Sequence, residues 1–128
     1  MNEKMGMPEE PELLDQDLVN LLRESREPGA RHLSPGSFTE TMLESWQEQE
    51  MAALEKRIVN GEMGRLEAMF FYNLRLARIF ARSGYKYGAE VGLKSAEQVI
   101  ENDALLKARG DIKRVLGELR SEIENLKE

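Results

Sequence analysis

The chain has no cysteine and only one histidine, His32, in 128 residues. Those two scarcities exclude disulfides, thiolate zinc sites, cysteine nucleophiles and every metal site that needs two imidazoles. His32 stands among turn-forming residues, with no Ser, Cys or carboxylate at a triad-like spacing, and reads as a surface side chain without a role. No stretch approaches the roughly 18 consecutive apolar residues of a membrane-spanning helix. The opening Met1-Asn2-Glu3-Lys4 lacks the basic and apolar regions of a secretion signal, so the expected setting is cytoplasmic. Strand signals are also missing, with no period-two run and no hairpin turn between β-branched segments. The stretch from Gly84 to Gly92 has neither a preceding strand nor a Lys-Ser/Thr terminus, which argues against a phosphate-binding loop. Glu44, Glu48 and Glu55 share one helix side, but hard-cation sites draw ligands from several elements or from a Gly-bearing loop, so this row reads as a solvated face. No cofactor, metal or catalytic activity is expected.

With 41% hydrophobic and 33% charged residues, the chain lies within the range of globular domains. A net charge of -6 argues against general nucleic-acid coating, which depends on phosphate neutralisation by Lys and Arg. The charge is unevenly spread: residues 1–62 hold 14 acids against 6 bases, and residues 63–128 hold 10 acids against 12 bases. The expected architecture is all-α, a single helical bundle of about five helices over residues 12–128. It follows a flexible, disordered leader over residues 1–11, where methionines, prolines and acids show no apolar period.

Leu14, Leu18, Leu21 and Leu22 recur at helical spacing until Pro28-Gly29, predicting a first helix from about Glu12 to Arg26. After a Pro/Gly-rich linker, Ser37 with Glu40 forms a plausible capping box for a second helix. Its apolar face is read as Phe38, Met42, Trp46 and Ala53, widened by Leu43, Met51, Leu54 and Ile58, with Phe38 and Trp46 as packing anchors. Asn60-Gly61 should end it. A third helix, from about Glu62 to Ser83, is apolar on several sides through residues such as Phe70, Leu74 and Ile79, which predicts a central, most buried element. Gly84 and Gly88 are expected to make a turn or a loosened end. A fourth helix should run from about Ala89 to Ala108 on Leu93, Ala96, Val99, Ile100, Ala104 and Leu105, closed by Gly110, with Asp111 capping the last helix.

Two features suggest partners. Arg75, Arg78, Arg82 and Lys86 fall at spacings of three and four and can align as a basic strip, facing solvent, the acids of a protein partner or of the chain's own first half, or nucleic-acid phosphates. Ile112, Leu116, Leu119, Ile123 and Leu126 form a seam of coiled-coil type, too short to hold a coiled coil alone. It either packs within the chain or joins copies in an oligomer. The seven methionines and the run Phe70-Phe71-Tyr72 read as core filling.

Leu22-Arg23-Glu24-Ser25-Arg26-Glu27, then Leu33-Ser34-Pro35-Gly36-Ser37-Phe38 and an acidic helix, resemble the helical domain of the GINS replication proteins. There, a Leu-Arg-x-x-Arg-Glu segment leads into a turn that opens the next helix. Leu74-Arg75-Leu76-Ala77-Arg78-Ile79-Phe80 is similar to a second motif of that family. Thr39 departs from the family's aromatic after Phe38, the turn lacks its usual Pro and Asp, and no segment here matches its small β-domain. The resemblance implies a non-catalytic scaffold subunit that joins other protein subunits through helical faces and bridges components of the replicative helicase in DNA replication. A helical adaptor or chaperone unrelated to replication, and a small nucleic-acid-binding module using Arg75, Arg78 and Arg82, are the alternatives the residues leave open.

Overall fold

A computed structural model describes residues 15–24 and 38–126, apart from the side chains of Phe38 and Thr39. The predicted leader, the linker with His32 and Ser37, and the packing role of Phe38 therefore lie outside the described residues. Those described are helical, with no strand: α1 (Asp15–Glu24), α2 (Phe38–Val59), α3 (Arg65–Arg82), α4 (Lys86–Glu101), α5 (Ala104–Ala108) and α6 (Gly110–Glu124). None is long and apolar enough to cross a membrane.

Local chemistry sets the helix ends. α2 and α3 each stop on a glycine in the left-handed region, Gly61 at φ 77° and Gly84 at φ 87°. At both ends the next residue donates back across the turn, Glu62 N to Arg57 O at 2.9 Å and Tyr85 N to Phe80 O at 2.8 Å. This is the Schellman closure, which satisfies carbonyls that the helix would otherwise leave unpaired.

Several sequence expectations fail. Gly88 lies inside α4, not in a loosened end, and the Phe80 ring packs over it in the space a side chain would need. The predicted fourth helix breaks at Asn102-Asp103, where the Asp103 side chain accepts from Leu106 N at 3.1 Å and starts α5. The break turns Leu106 inward and leaves Leu105, expected in the core, 83% exposed. Gly110 likewise opens α6 and does not close the helix before it. Ala53, read as part of the α2 packing face, is exposed.

α3 is the wall between two cores. Its Phe70, Leu74, Ala77 and Ala81 pack against Ala89, Ala96 and Ile100 of α4, Leu106 of α5, and Ile112, Leu116, Leu119 and Ile123 of α6. Its Ile79 joins Leu18, Val19 and Leu22 of α1 and Trp46 of α2 in a second, smaller cluster. Phe70 is fully buried, and burial of such a side chain contributes about 1.5–3 kcal/mol. The central position predicted for the third helix is thus the observed one. α3 and α4 approach closely because Gly92 faces Ala77, with Ala81, Ala89 and Ala96 also fully or nearly fully buried along the contact. The guanidinium of Arg109 ties the α5–α6 corner to α3 through Glu67 at 2.9 Å and is itself steadied by Asp111.

Candidate functional site

The seam on the last helix faces inward. Ile112, Leu116, Leu119 and Ile123 are buried in the larger core, and Leu126 is half-buried against it. Of the two placements the sequence allows, packing within the chain is the one observed, and the seam supplies no free surface for a second copy.

The basic strip is divided between the chain's own acids and solvent. Arg75 donates to Asp15 of α1 at 2.8 and 3.0 Å and to Glu50 of α2 at 2.6 Å, joining three helices through one guanidinium. Trp46 completes the hub: its indole Nε1 donates to Asp15 Oδ1 at 2.7 Å, and the Arg75 guanidinium lies 5.8 Å from its ring centroid. Burial alone would raise the Asp15 carboxyl above its ordinary range. Hydrogen bonds from Arg75 and Trp46, with the charges of Arg75 and Arg82, outweigh it and hold the group below that range. Arg82 lies 3.9 Å from Glu122, and its carbonyl accepts from the Arg23 guanidinium at 2.6 Å. Arg78 and Lys86 have no ion pair among the described residues. Arg75, Arg78 and Arg82 line a cavity of about 60 Å³ against α1. Among the described residues, Arg78 is thus the strip's one guanidinium without an ion pair.

Sequence reasoning missed a different feature. α2 and α3 run antiparallel, and α1 packs on the part of the pair that bears Trp46, Arg75 and Ile79. Nearer the turn that joins them, the pair forms a furrow of about 310 Å³ lined by Met51, Leu54, Glu55 and Ile58 of α2 and by Arg65, Ala68, Met69, Tyr72 and Asn73 of α3. Leu54 and Ala68 form its buried floor, whereas Met51 is 59% and Met69 47% exposed. Beside it on α3, Leu66 is also exposed. Tyr72 stacks on Trp46 with centroids 6.1 Å apart, so the furrow floor is continuous with the hub beneath. Burial, reinforced by Glu50 and partly offset by a hydrogen bond with Gln47, holds the Tyr72 phenol above its ordinary range and hence neutral.

The signal for this furrow lies in the α2 pattern. Its apolar positions spread too widely for one face, and Glu44, Glu48, Met51, Glu55 and Ile58 follow steps of four and three down a single stripe. Of this stripe, Met51, Glu55 and Ile58 line the furrow. Glu55 pairs with Arg65 across its end at 3.3 Å, both largely exposed, while Glu44 and Glu48 have no ion pair among the described residues. No group of three or more His, Cys, Asp or Glu that could hold a metal occurs among the described residues. In comparisons with known proteins, no family model matches the chain, and no curated protein or solved structure resembles it significantly.

Proposed function

We propose that this chain is a cytoplasmic, non-catalytic scaffold subunit, a single helical bundle that joins other proteins through its helical faces in a DNA replication assembly of the kind the GINS resemblance implies. The observation that carries the reading is the furrow between α2 and α3, where flexible methionine side chains stand in solvent over an apolar floor. Contiguous exposed apolar surface of this kind marks interaction sites, and methionine adapts to differently shaped partners. Two segments that carry the resemblance also meet in space, which supports treating them as one unit. Leu22 packs in the same cluster as Ile79, and Arg23 donates to the Arg82 carbonyl.

The test is affinity purification of the tagged chain from its native host, with its companions identified by mass spectrometry. Stoichiometric recovery of replicative helicase or primase components is the expected result. Reproducible recovery of an unrelated set would overturn the replication setting, and recovery of no protein companion at all would overturn the scaffold reading.

A further inference from the structure

The groove between α2 and α3 is longer than the part of α1 seated in it. α1 runs parallel to α3: Asp15 at its start accepts from Arg75, and Arg23 at its end donates to the Arg82 carbonyl. The α3 stripe that meets α1, Ile79 and Arg75, continues backward through Tyr72 and Ala68. The α2 stripe of Trp46 and Glu50 continues in the same direction through Leu54 and Ile58. Those continuations line the furrow, which is thus the stretch of one groove that begins where α1 begins. From the level of Arg75 to that of Arg65 it is about 15 Å long at the α-helical rise. Tyr72, stacked on Trp46, stands at the join.

We infer that residues 7–14 of this chain occupy the furrow, as a continuation of the seat of α1. They meet the groove at Asp15 and are aimed along the furrow by the direction of α1. Other stretches start from the groove's far end: residues 25–37 leave α1 beside Arg82 and enter α2 at Phe38, about 24 Å from Leu54 at the α-helical rise. Leu14 precedes Leu18 and Leu22 at steps of four, and both of those are fully buried, which puts Leu14 on the buried stripe of α1 at the level of Tyr72. Pro11 suits the first position of a helix lengthened by that one turn. Met7 and Glu10 each precede a proline, which favours extended backbone there. One helical turn of about 6 Å and four extended residues of about 13 Å together span about 19 Å, enough to bring Met7 to Met69 at the far end of the furrow. A methionine suits the irregular space between Met51 and Met69. The inference goes beyond the scaffold reading; where that reading holds, a partner enters the furrow by displacing residues 7–14.

The test is methyl NMR on the full chain with its methionine and leucine methyls labelled. Nuclear Overhauser contacts are expected from the Leu14 methyls to the Tyr72 ring and from the Met7 methyl to the Met69 methyl. In a mixture of labelled and unlabelled chains these contacts should stay within one chain, and contacts that cross between chains would overturn occupation by the chain's own segment. Met7→Asp should shift the Met69 methyl signal and leave the emission of Trp46 unchanged, because α1 remains seated beside that indole. Leu14→Asp should shift the Met51 signal as well. If that variant also unseats α1, the Trp46 emission will move, and Met7→Asp then decides the matter alone. The absence of both contacts in the wild type, or a Met69 signal that is identical in the wild type and the Met7→Asp variant, would overturn the inference. A chain that keeps these contacts but recovers no protein companion loses the scaffold reading and retains its own segment in the furrow, so the two fail separately.

Discussion

Replacing Gly92 with Ala should destabilise the protein although alanine is the better helix former. In a helix interior the change from Gly to Ala gains about 0.8–1 kcal/mol where nothing stands in the way. At Gly92, however, the new Cβ would lie 2.8 Å from the Ala77 Cβ and 3.0 Å from its Cα, and backbone cannot rotate aside as a long side chain can. Restoring an ordinary contact of 3.4 Å needs α3 and α4 to part by about 0.6 Å at this level. That movement would loosen the neighbouring contacts of Leu74, Ala81 and Ala96 in the same core. Overpacking of this kind costs about 1–3 kcal/mol, so the net change is a loss of roughly 1 kcal/mol. Gly117 is the control: it lies within α6 with nothing inside 4 Å of a built Cβ, and its replacement by Ala should stabilise by up to about 1 kcal/mol. Thermal and urea melts followed by circular dichroism should therefore separate the two variants by about 2 kcal/mol, roughly 8 °C in Tm for a chain of this size. The double change Ala77→Gly with Gly92→Ala should recover only part of the loss, since it removes the 2.8 Å contact but leaves the new Cβ 3.0 Å from the Cα at position 77. If Gly92→Ala stabilises as much as Gly117→Ala, the close approach of α3 and α4 is refuted.

Two further outcomes follow from burial and charge. Leu119, 1% exposed in the larger core, should not tolerate Leu119→Glu. A buried unpaired carboxylate costs about 4 kcal/mol or more against a total stability of about 5–15 kcal/mol, so the variant should lose its helical signal, and a folded monomer by light scattering and circular dichroism would contradict the inward seam. Asp15→Asn should cost about 1 kcal/mol at neutral pH, a modest figure because the pair is partly exposed and screened. The Asp15 carboxyl is held below its ordinary value of 3.8 in the folded state, so its contribution is present above that value and lost as pH falls through the lower folded value. The gap between wild type and variant in urea melts should therefore narrow below about pH 4, and a gap independent of pH would remove Asp15 from the account.

The sequence is most readable where one physical signal acts alone. The last helix shows a single narrow stripe, and its first four positions are all buried. α3 is apolar on several sides because it faces two cores, which marks it as central before any contact is known. Boundaries that depend on a competition are harder to read. Asn102-Asp103 lies in an otherwise helical pattern, and only the bond from Leu106 N to Asp103 shows that the capping aspartate prevails over continuation. Gly88 looks like a breaker until Phe80 is seen packed over it. The basic strip is legible as a row of charges, but its division is not, since Asp15 and Glu50 reach Arg75 from 60 and 25 positions away. The furrow is hidden for the opposite reason. Met51, Ile58 and Met69 resemble core residues in composition, and their place beyond the Trp46 cluster that α1 packs against is set by tertiary packing.

Trp46 is the chain's single tryptophan, and its position gives the protein an optical asymmetry. The indole is buried at the junction of α1, α2 and α3, stacked beside Tyr72 and bonded to Asp15, and it belongs to the smaller core alone. Its emission therefore reports the seating of α1, whereas the far-ultraviolet helical signal is dominated by the longer helices α2, α3, α4 and α6. The two spectra recorded on one sample act as separate gauges for the two sides of α3. Coincident transitions would mean that the shared wall couples both cores into one cooperative unit, and an earlier emission change would mean that α1 can lift away while the α3–α4 hairpin holds.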